Sequence, residues 1–137
     1  MSNGGWKRWA RKESCSSQIR KLFKFEAAHT LPYHPGKCAR MHGHSYRLEV
    51  TVQGPLQTRR PARGMVQDFD RLERVVSERV LEALDHQYLN DLIENPTVEN
   101  IVLWIWKRLE KRLPLLDALV LWETATSCAI LRRSDIV

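Results

Sequence analysis

From Gln18 to His29 the chain alternates, with Phe23, Phe25, Ala27 and His29 on one parity and Lys24, Glu26 and Ala28 on the other. Successive side chains of an extended strand point to opposite faces, so this is the pattern of a half-buried β-strand. The stretch KCARMHGHSYRLEV, residues 37 to 50, repeats it, setting His42, His44, Tyr46, Leu48 and Val50 against Gly43, Ser45, Arg47 and Glu49. A second strand is therefore predicted from about His42 to Gln53, with two histidines on its apolar face. TLPYHPGK, between the strands, has two prolines and a glycine and reads as a loop. GPLQTRRPARG, after the second strand, reads as an exposed connection whose Arg59, Arg60 and Arg63 are solvated.

Beyond that connection the period changes. DFDRLERVVSERVLEAL follows helical spacing, with Phe69, Leu72, Val76, Val80 and Leu84 along one side and Asp68 or Asp70 as N-cap. LDHQYLNDL is a turn and short connection. NPTVENIVLWIWKRLEKRL opens a second helix behind Thr97 as N-cap, striped by Val98, Ile101, Ile105, Leu109 and Leu113 and stopped by Pro114. From Asp117 to Arg133 β-forming residues dominate, and a turn near Thr124 to Ser127 divides them into two strands. The order is ββααββ: an α+β fold with an antiparallel sheet and two helices on one face. Leu119 and Leu121 lie opposite in parity to Val120 and Trp122, so the third strand is apolar on both sides. One side meets the helices. The other needs a partner, and another copy of the chain is the expected one.

The 137 residues suffice for one compact domain. With 43% hydrophobic and 28% charged residues the composition is that of a soluble globular protein, and no apolar run approaches the length of a membrane span. The N-terminal stretch MSNGGWKRWARKESCSSQIRK lacks the apolar centre of a secretory signal. Cys15, Cys38 and Cys128 are widely spaced and odd in number, which argues against a disulfide framework and for a reducing, cytoplasmic setting. The net charge is +6, but residues 1 to 24 hold seven of the Lys and Arg residues and one acid, Glu13, and the remainder is balanced. Residues 1–17 thus read as a basic, flexible extension ahead of a single domain over 18–137. With Trp6 and Trp9 the extension has the composition to touch RNA or an acidic membrane surface. The balanced domain itself is not expected to bind nucleic acid or membrane.

The chemistry lies with the histidines. His29 ends one strand and His42 and His44 begin the next, and antiparallel pairing brings such ends side by side. Three neutral imidazoles around an open fourth position form the ligand set of a catalytic zinc. Hydrogen-bonded core histidines are the other reading, but three of the chain's five at strand ends, two in His-x-His spacing, favour a metal. Cys38, four residues before His42, has two roles open to it: fourth ligand of a closed Cys-His₃ site, or a reactive thiolate just outside the metal shell. Asp85–His86 sets a carboxylate beside an imidazole, a pair suited to proton transfer. A plain surface turn is the alternative, and the dipeptide alone favours it. Glu123 stands in an apolar strand run and needs a partner, either a ligand bearing N–H donors or a nearby arginine.

In order, FKFEAAHTLP, KCARMHGHSY, GMVQDF, LDHQYLND, NPTVENIVLWIW and WETAT resemble the motifs of the pyruvoyl-tetrahydropterin synthase superfamily. The likeness spans about residues 22 to 131 and is greatest to the bacterial 6-carboxy-tetrahydropterin synthase branch of the queuosine pathway. The Cys-x-x-x-His-Gly-His spacing resembles that branch, since animal-type pyruvoyl enzymes have a longer gap there. The resemblance implies a tunnelling fold (T-fold), whose ββααββ subunits close into a trimeric barrel and stack as two trimers, with active sites between subunits. It implies a carbon–carbon lyase that turns 7,8-dihydroneopterin triphosphate into 6-carboxy-5,6,7,8-tetrahydropterin, acetaldehyde and triphosphate. Carried over by position, it implies that His29, His42 and His44 hold Zn2+, with Cys38 as catalytic base and Asp85 and His86 as a proton-transfer pair. Glu123 then anchors the pterin's N–H edge, Thr97 and Glu99 line the pterin pocket, and Lys37 and Arg40 meet the triphosphate. The extension before Gln18, Leu131 in place of a common aromatic, and the loop's Arg59, Arg60 and Arg63 depart from the family pattern without touching a matched catalytic position. Two further functions remain open: a 6-pyruvoyl-tetrahydropterin synthase that eliminates triphosphate, and a structural-zinc module that uses its basic tail on RNA.

Overall fold

The computed structural model of the chain describes residues 15–136. Strands β1 (Ser16–His29) and β2 (His42–Pro55) pair antiparallel over all 14 residues of each, Ser16 opposite Pro55 and His29 opposite His42. Strict alternation holds so long a ladder in register, because a one-residue slip would turn the whole apolar set outward. β1 begins two residues before the predicted Gln18, and residues 1–14 of the expected extension lie outside the described residues.

Helix α1 opens as Phe69–Val76 behind Asp68, whose Oδ1 accepts the Asp70 N–H at 2.8 Å and so makes Asp68 the cap. It continues through a π turn, Ser77–Leu81, and closes with Glu82–Leu84. Leu72, Val75, Val76, Val80 and Leu84 are buried, but Phe69, predicted on that stripe, is 48% exposed. As the first helical residue it lines a pocket with Ile19, Leu56 and Met65, away from the core. Helix α2 (Val98–Leu109) starts where Thr97 Oγ1 accepts the Asn100 N–H at 3.2 Å. It ends at Leu109, so Pro114 does not stop it as expected; the Arg112 and Leu113 N–H groups already turn back to the Leu109 carbonyl at 3.0 and 2.9 Å. Leu113 stays buried in that turn.

β4 (Leu116–Trp122) pairs with β2, and β5 (Cys128–Arg132) with β4, both antiparallel. A two-residue strand, β3 (Gln87–Tyr88), pairs parallel with Ala27 and Ala28, inside the stretch that reads as a turn and connection. The sheet order is β3-β1-β2-β4-β5. Phe23, Phe25, Tyr46, Leu48, Val50, Leu119 and Leu121 form the buried face under the helices. The opposite face carries Leu22 and Ile130, 58% and 50% exposed, with half-buried Val120 and Trp122 beside them. The α+β architecture predicted from the pattern is the one found, and within a single chain the sheet is open, not closed into a barrel. Among the described residues no helix is long and apolar enough to cross a membrane.

Candidate active site

The β1–β2 register sets His29 opposite His42 and Ala27 opposite His44, just beyond the stacked Phe25 and Tyr46 rings, whose centroids lie 4.9 Å apart. The three imidazoles therefore share the helix-facing side at the end of the sheet. Their centroids are 4.5, 5.1 and 4.9 Å apart, and one ligand atom of each lies within 4.8 Å of the other two. Burial lowers the pKa of His29, which is fully enclosed, and of His44. The Pro96 carbonyl at His29 and the Glu123 charge near both pull the other way without reversing it. Both rings are thus neutral at neutral pH, the form that binds a metal.

The tautomers follow from the backbone. A carbonyl oxygen only accepts, so His29 Nδ1, 2.8 Å from Pro96 O, and His42 Nδ1, 2.7 Å from Arg40 O, both carry hydrogen. In a neutral ring so oriented Nε2 bears the lone pair, and the His29 and His42 Nε2 atoms face each other at 3.0 Å. With no proton between them such lone pairs repel. His44 Nε2 is buried with no hydrogen-bond partner. Two ring nitrogens in contact and a third left without a partner are what a bound cation resolves, and carbonyl-oriented imidazoles are fitting ligands for it.

Cys38 sits in the one-turn 3₁₀ helix Lys37–Ala39 as a free, half-buried thiol outside the three-imidazole cluster. The described atoms therefore do not form a closed Cys-His₃ set. Lys37 and Arg40 are exposed on either side of it. Glu123 follows β4 on the parity of Leu121, and its charge acts on His29, His44 and Tyr46. Among the described residues its carboxylate meets no side-chain donor, and Arg47 stacks on Trp122 instead, 5.1 Å from the ring centroid. Thr97 caps α2, next to the Pro96 that orients His29, and Glu99 is exposed in the first turn of that helix.

Asp85 and His86 are buttressed by one residue. Asp85 Oδ1 accepts the Glu26 N–H at 2.9 Å and lies 3.0 Å from His86 Nδ1, while the His86 N–H donates to Glu26 O at 2.6 Å. The Glu26 bond first, then His86, holds the Asp85 carboxyl below the usual carboxylate range. His86 has φ of 60°, the left-handed region, where a side chain is strained by about 1–2 kcal/mol. His86 lines a pocket of about 520 Å³ with Glu26, Ala28, Met41, Gly43 and Ser45, and with Ala27 and the candidate ligand His44. Glu26, Ala28, Gly43 and Ser45 alternate along the strands with Ala27, His29, His42 and His44, so most of the lining has the parity opposite to the imidazoles, while His44 borders the pocket as well. A single chain thus gathers the three histidines and pairs Asp85 with His86, and His86 and His44 border one pocket.

Residues 18–134 match the model of 6-pyruvoyl tetrahydropterin synthase. The chain belongs to that family. It is 47% identical over 115 residues to the 6-carboxy-5,6,7,8-tetrahydropterin synthase of Synechocystis sp., covering 81% of this chain and 89% of the relative. It is 42% identical over 102 residues to the dihydroneopterin monophosphate aldolase of Pyrococcus furiosus, covering 72% and 82%. The solved 6-pyruvoyl tetrahydropterin synthase of Caenorhabditis elegans shares the fold, with a TM-score of 0.77 at 24% identity over 87% of this chain and 96% of that one. The likeness carried by the six motifs is therefore a family membership, and the chain has the family's fold.

Sequence reasoning missed the groups that orient the candidate ligands. Pro96 and Arg40 act through carbonyls and Glu26 through its backbone, so residue type carries no trace of these roles. Tyr46 was read only as core; its hydroxyl is buried without a partner beside His44, and burial pushes its pKa up.

Proposed function

We propose that the protein is a zinc-dependent carbon–carbon lyase acting on 7,8-dihydroneopterin triphosphate in queuosine (7-deazapurine) biosynthesis. Its products are 6-carboxy-5,6,7,8-tetrahydropterin, acetaldehyde and triphosphate. The observation that carries this reading is the convergence of three imidazoles, two oriented by carbonyls, near a carboxylate that meets no side-chain donor among the described residues. The 47% identity to the Synechocystis relative supports the 6-carboxy branch.

His29, His42 and His44 hold the metal. Zinc bound there supplies Lewis-acid polarisation of the oxygens on the substrate's side chain. Glu123 accepts two N–H groups of the pterin edge, a bidentate pairing that fixes the ring's orientation. Thr97 and Glu99 line the same pocket, and Lys37 and Arg40 meet the triphosphate. Cys38 takes a proton from the substrate side chain as its thiolate. His86 delivers one through Nε2, because Asp85 engages Nδ1. His86 and His44 border one pocket, and a second copy of the chain would complete the site there. The exposed face around Leu22 and Ile130 offers the surface for a homo-oligomer, a trimer or hexamer. The domain begins with β1 at Ser16, and the setting is cytoplasmic.

The similarity to the Pyrococcus aldolase favours a second reading, cleavage of the monophosphate. The test is incubation of the purified, zinc-loaded protein with each pterin phosphate. Acetaldehyde released from the triphosphate is the expected result. A pyruvoyl product without acetaldehyde overturns it, and turnover of the monophosphate alone, with release of a phosphorylated two-carbon aldehyde, moves the assignment to the aldolase. An RNA-binding zinc module has less support, because Cys38 stands outside the imidazole cluster.

A further inference from the structure

Asn90 lies in the 3₁₀ turn Leu89–Asp91, directly after β3, and its side-chain amide is directed entirely at Thr30. Oδ1 accepts the Thr30 N–H at 2.9 Å, and Nδ2 donates to Thr30 O at 2.9 Å and to Thr30 Oγ1 at 3.0 Å. The hydroxyl of Thr30 also meets Tyr88 OH at 3.2 Å. An amide that satisfies both the N–H and the C=O of one residue does for it what a neighbouring strand would do. It does so where the ladder stops, since Thr30 is the first residue beyond β1 and follows His29.

Three parts of the site meet at this clamp. On one side is His29, whose ring Nδ1 donates to Pro96 O and whose backbone is the last of β1 paired to β2. On the other side is Leu31, whose N–H holds Cys38 O at 2.9 Å, so the Cys38 turn hangs from the residue after Thr30. Asn90 itself follows Asp85–His86 by a few residues, past the fully buried Leu89. Metal ligation tolerates little displacement, the zinc–nitrogen bond being about 2.0–2.1 Å.

We propose that Asn90 is a positioning residue: its amide fixes the end of β1 so that His29 Nε2 stays in register with His42 and His44 for a divalent metal. The same clamp sets where the Cys38 turn stands relative to that metal. This rests on the metal reading of the imidazole cluster. A merely structural Asn90 would lower the melting temperature and leave metal affinity alone, which makes the two roles separable.

The experiment uses the full chain and zinc itself, with affinity read by competition against a chromophoric chelator and the melting of the metal-free protein read in parallel. Asn90→Ala is expected to weaken zinc binding about 10–100-fold, the usual effect of removing a group that orients a ligand. Tyr88→Phe leaves the backbone clamp intact and is expected to stay within about twofold of wild type, well short of an outer-shell loss. Should Asn90→Ala not fold, Asn90→Asp keeps the shape and the Thr30 N–H acceptor but loses both donors, and its affinity is expected to fall in the same direction. Zinc affinity unchanged in the folded variant overturns the proposal while leaving the metal reading standing. Wild type that binds no zinc overturns both.

Discussion

Replacing Cys38 by alanine tests the division of labour between sulfur and imidazole. The thiol is half-buried and makes no hydrogen bond among the described residues, so the change removes little more than one heavy atom of packing. The turn around it is held by backbone bonds that survive: Leu31 N–H to Cys38 O at 2.9 Å, Ala39 N–H to Gly36 O at 3.1 Å and Arg40 N–H to Lys37 O at 3.0 Å. Loss of about one buried methylene equivalent corresponds to about 0.8 kcal/mol at most. For a domain of this size that is a melting shift of roughly 4 °C or less. The three imidazoles are untouched, so metal content stays at the wild-type level. Turnover behaves differently, because removing a general base slows a reaction by about 10²–10⁴-fold. That is about 2.7–5.4 kcal/mol of barrier, several times the effect on stability. Elemental analysis, a thermal melt and an acetaldehyde assay on one preparation read all three. A variant that loses its metal and unfolds would show that the sulfur is a ligand, and the open-site reasoning would fail. A variant that turns over like wild type would remove Cys38 from the chemistry.

Glu123→Gln puts an amide where two pterin N–H groups are to be accepted; loss of a charged hydrogen bond of about 1.5–3 kcal/mol predicts a KM raised about tenfold or more, with zinc content unchanged. An unaltered KM in steady-state assays would remove Glu123 from pterin recognition. Thr97→Ala removes the α2 cap and is expected to lower stability by about 1 kcal/mol, read by urea titration; no change would mean that the hydroxyl does not cap in solution. Metal-free protein should lose stability on acidification. His29 and His44 have folded pKa values below the ordinary 6.5, so the unfolded chain binds their protons more readily. Their contribution is complete above about 6.5 and is lost as pH falls from there through the folded values. Asp85, also lowered, contributes in full above about 3.8 and loses that contribution only as pH falls below it, so the two windows are distinct. A flat denaturation midpoint between pH 7.5 and 5 would show that the imidazoles are not buried as described.

The long strands were legible because period-two alternation over 14 residues leaves no other arrangement that hides the same side chains. The same parity placed the histidines: once β1 and β2 pair antiparallel around a loop, His29 must approach His42. Helix α1 was readable apart from Phe69, because an end residue of an amphipathic stripe projects past the surface the rest of the stripe covers. Strand β3 was not readable. Two residues carry no period, and their pairing with Ala27 and Ala28 depends on where α1 delivers the chain. Pro114 misled because a proline marks where a helix cannot continue, whereas α2 had already ended at Leu109. The approach of His86 to the pocket that His44 borders was also invisible, since it follows from which edge of β1 receives β3.

His86 occupies a backbone conformation that glycine or asparagine would adopt at far smaller expense. Anyone engineering a hardier version of this protein will find the position attractive, since Gly there relieves the left-handed strain. The gain would delete the ring that faces the 520 Å³ pocket. On the proton-delivering role proposed for His86, heat tolerance and turnover pull in opposite directions at this residue, and variants selected for survival at high temperature alone should drift towards an inert protein.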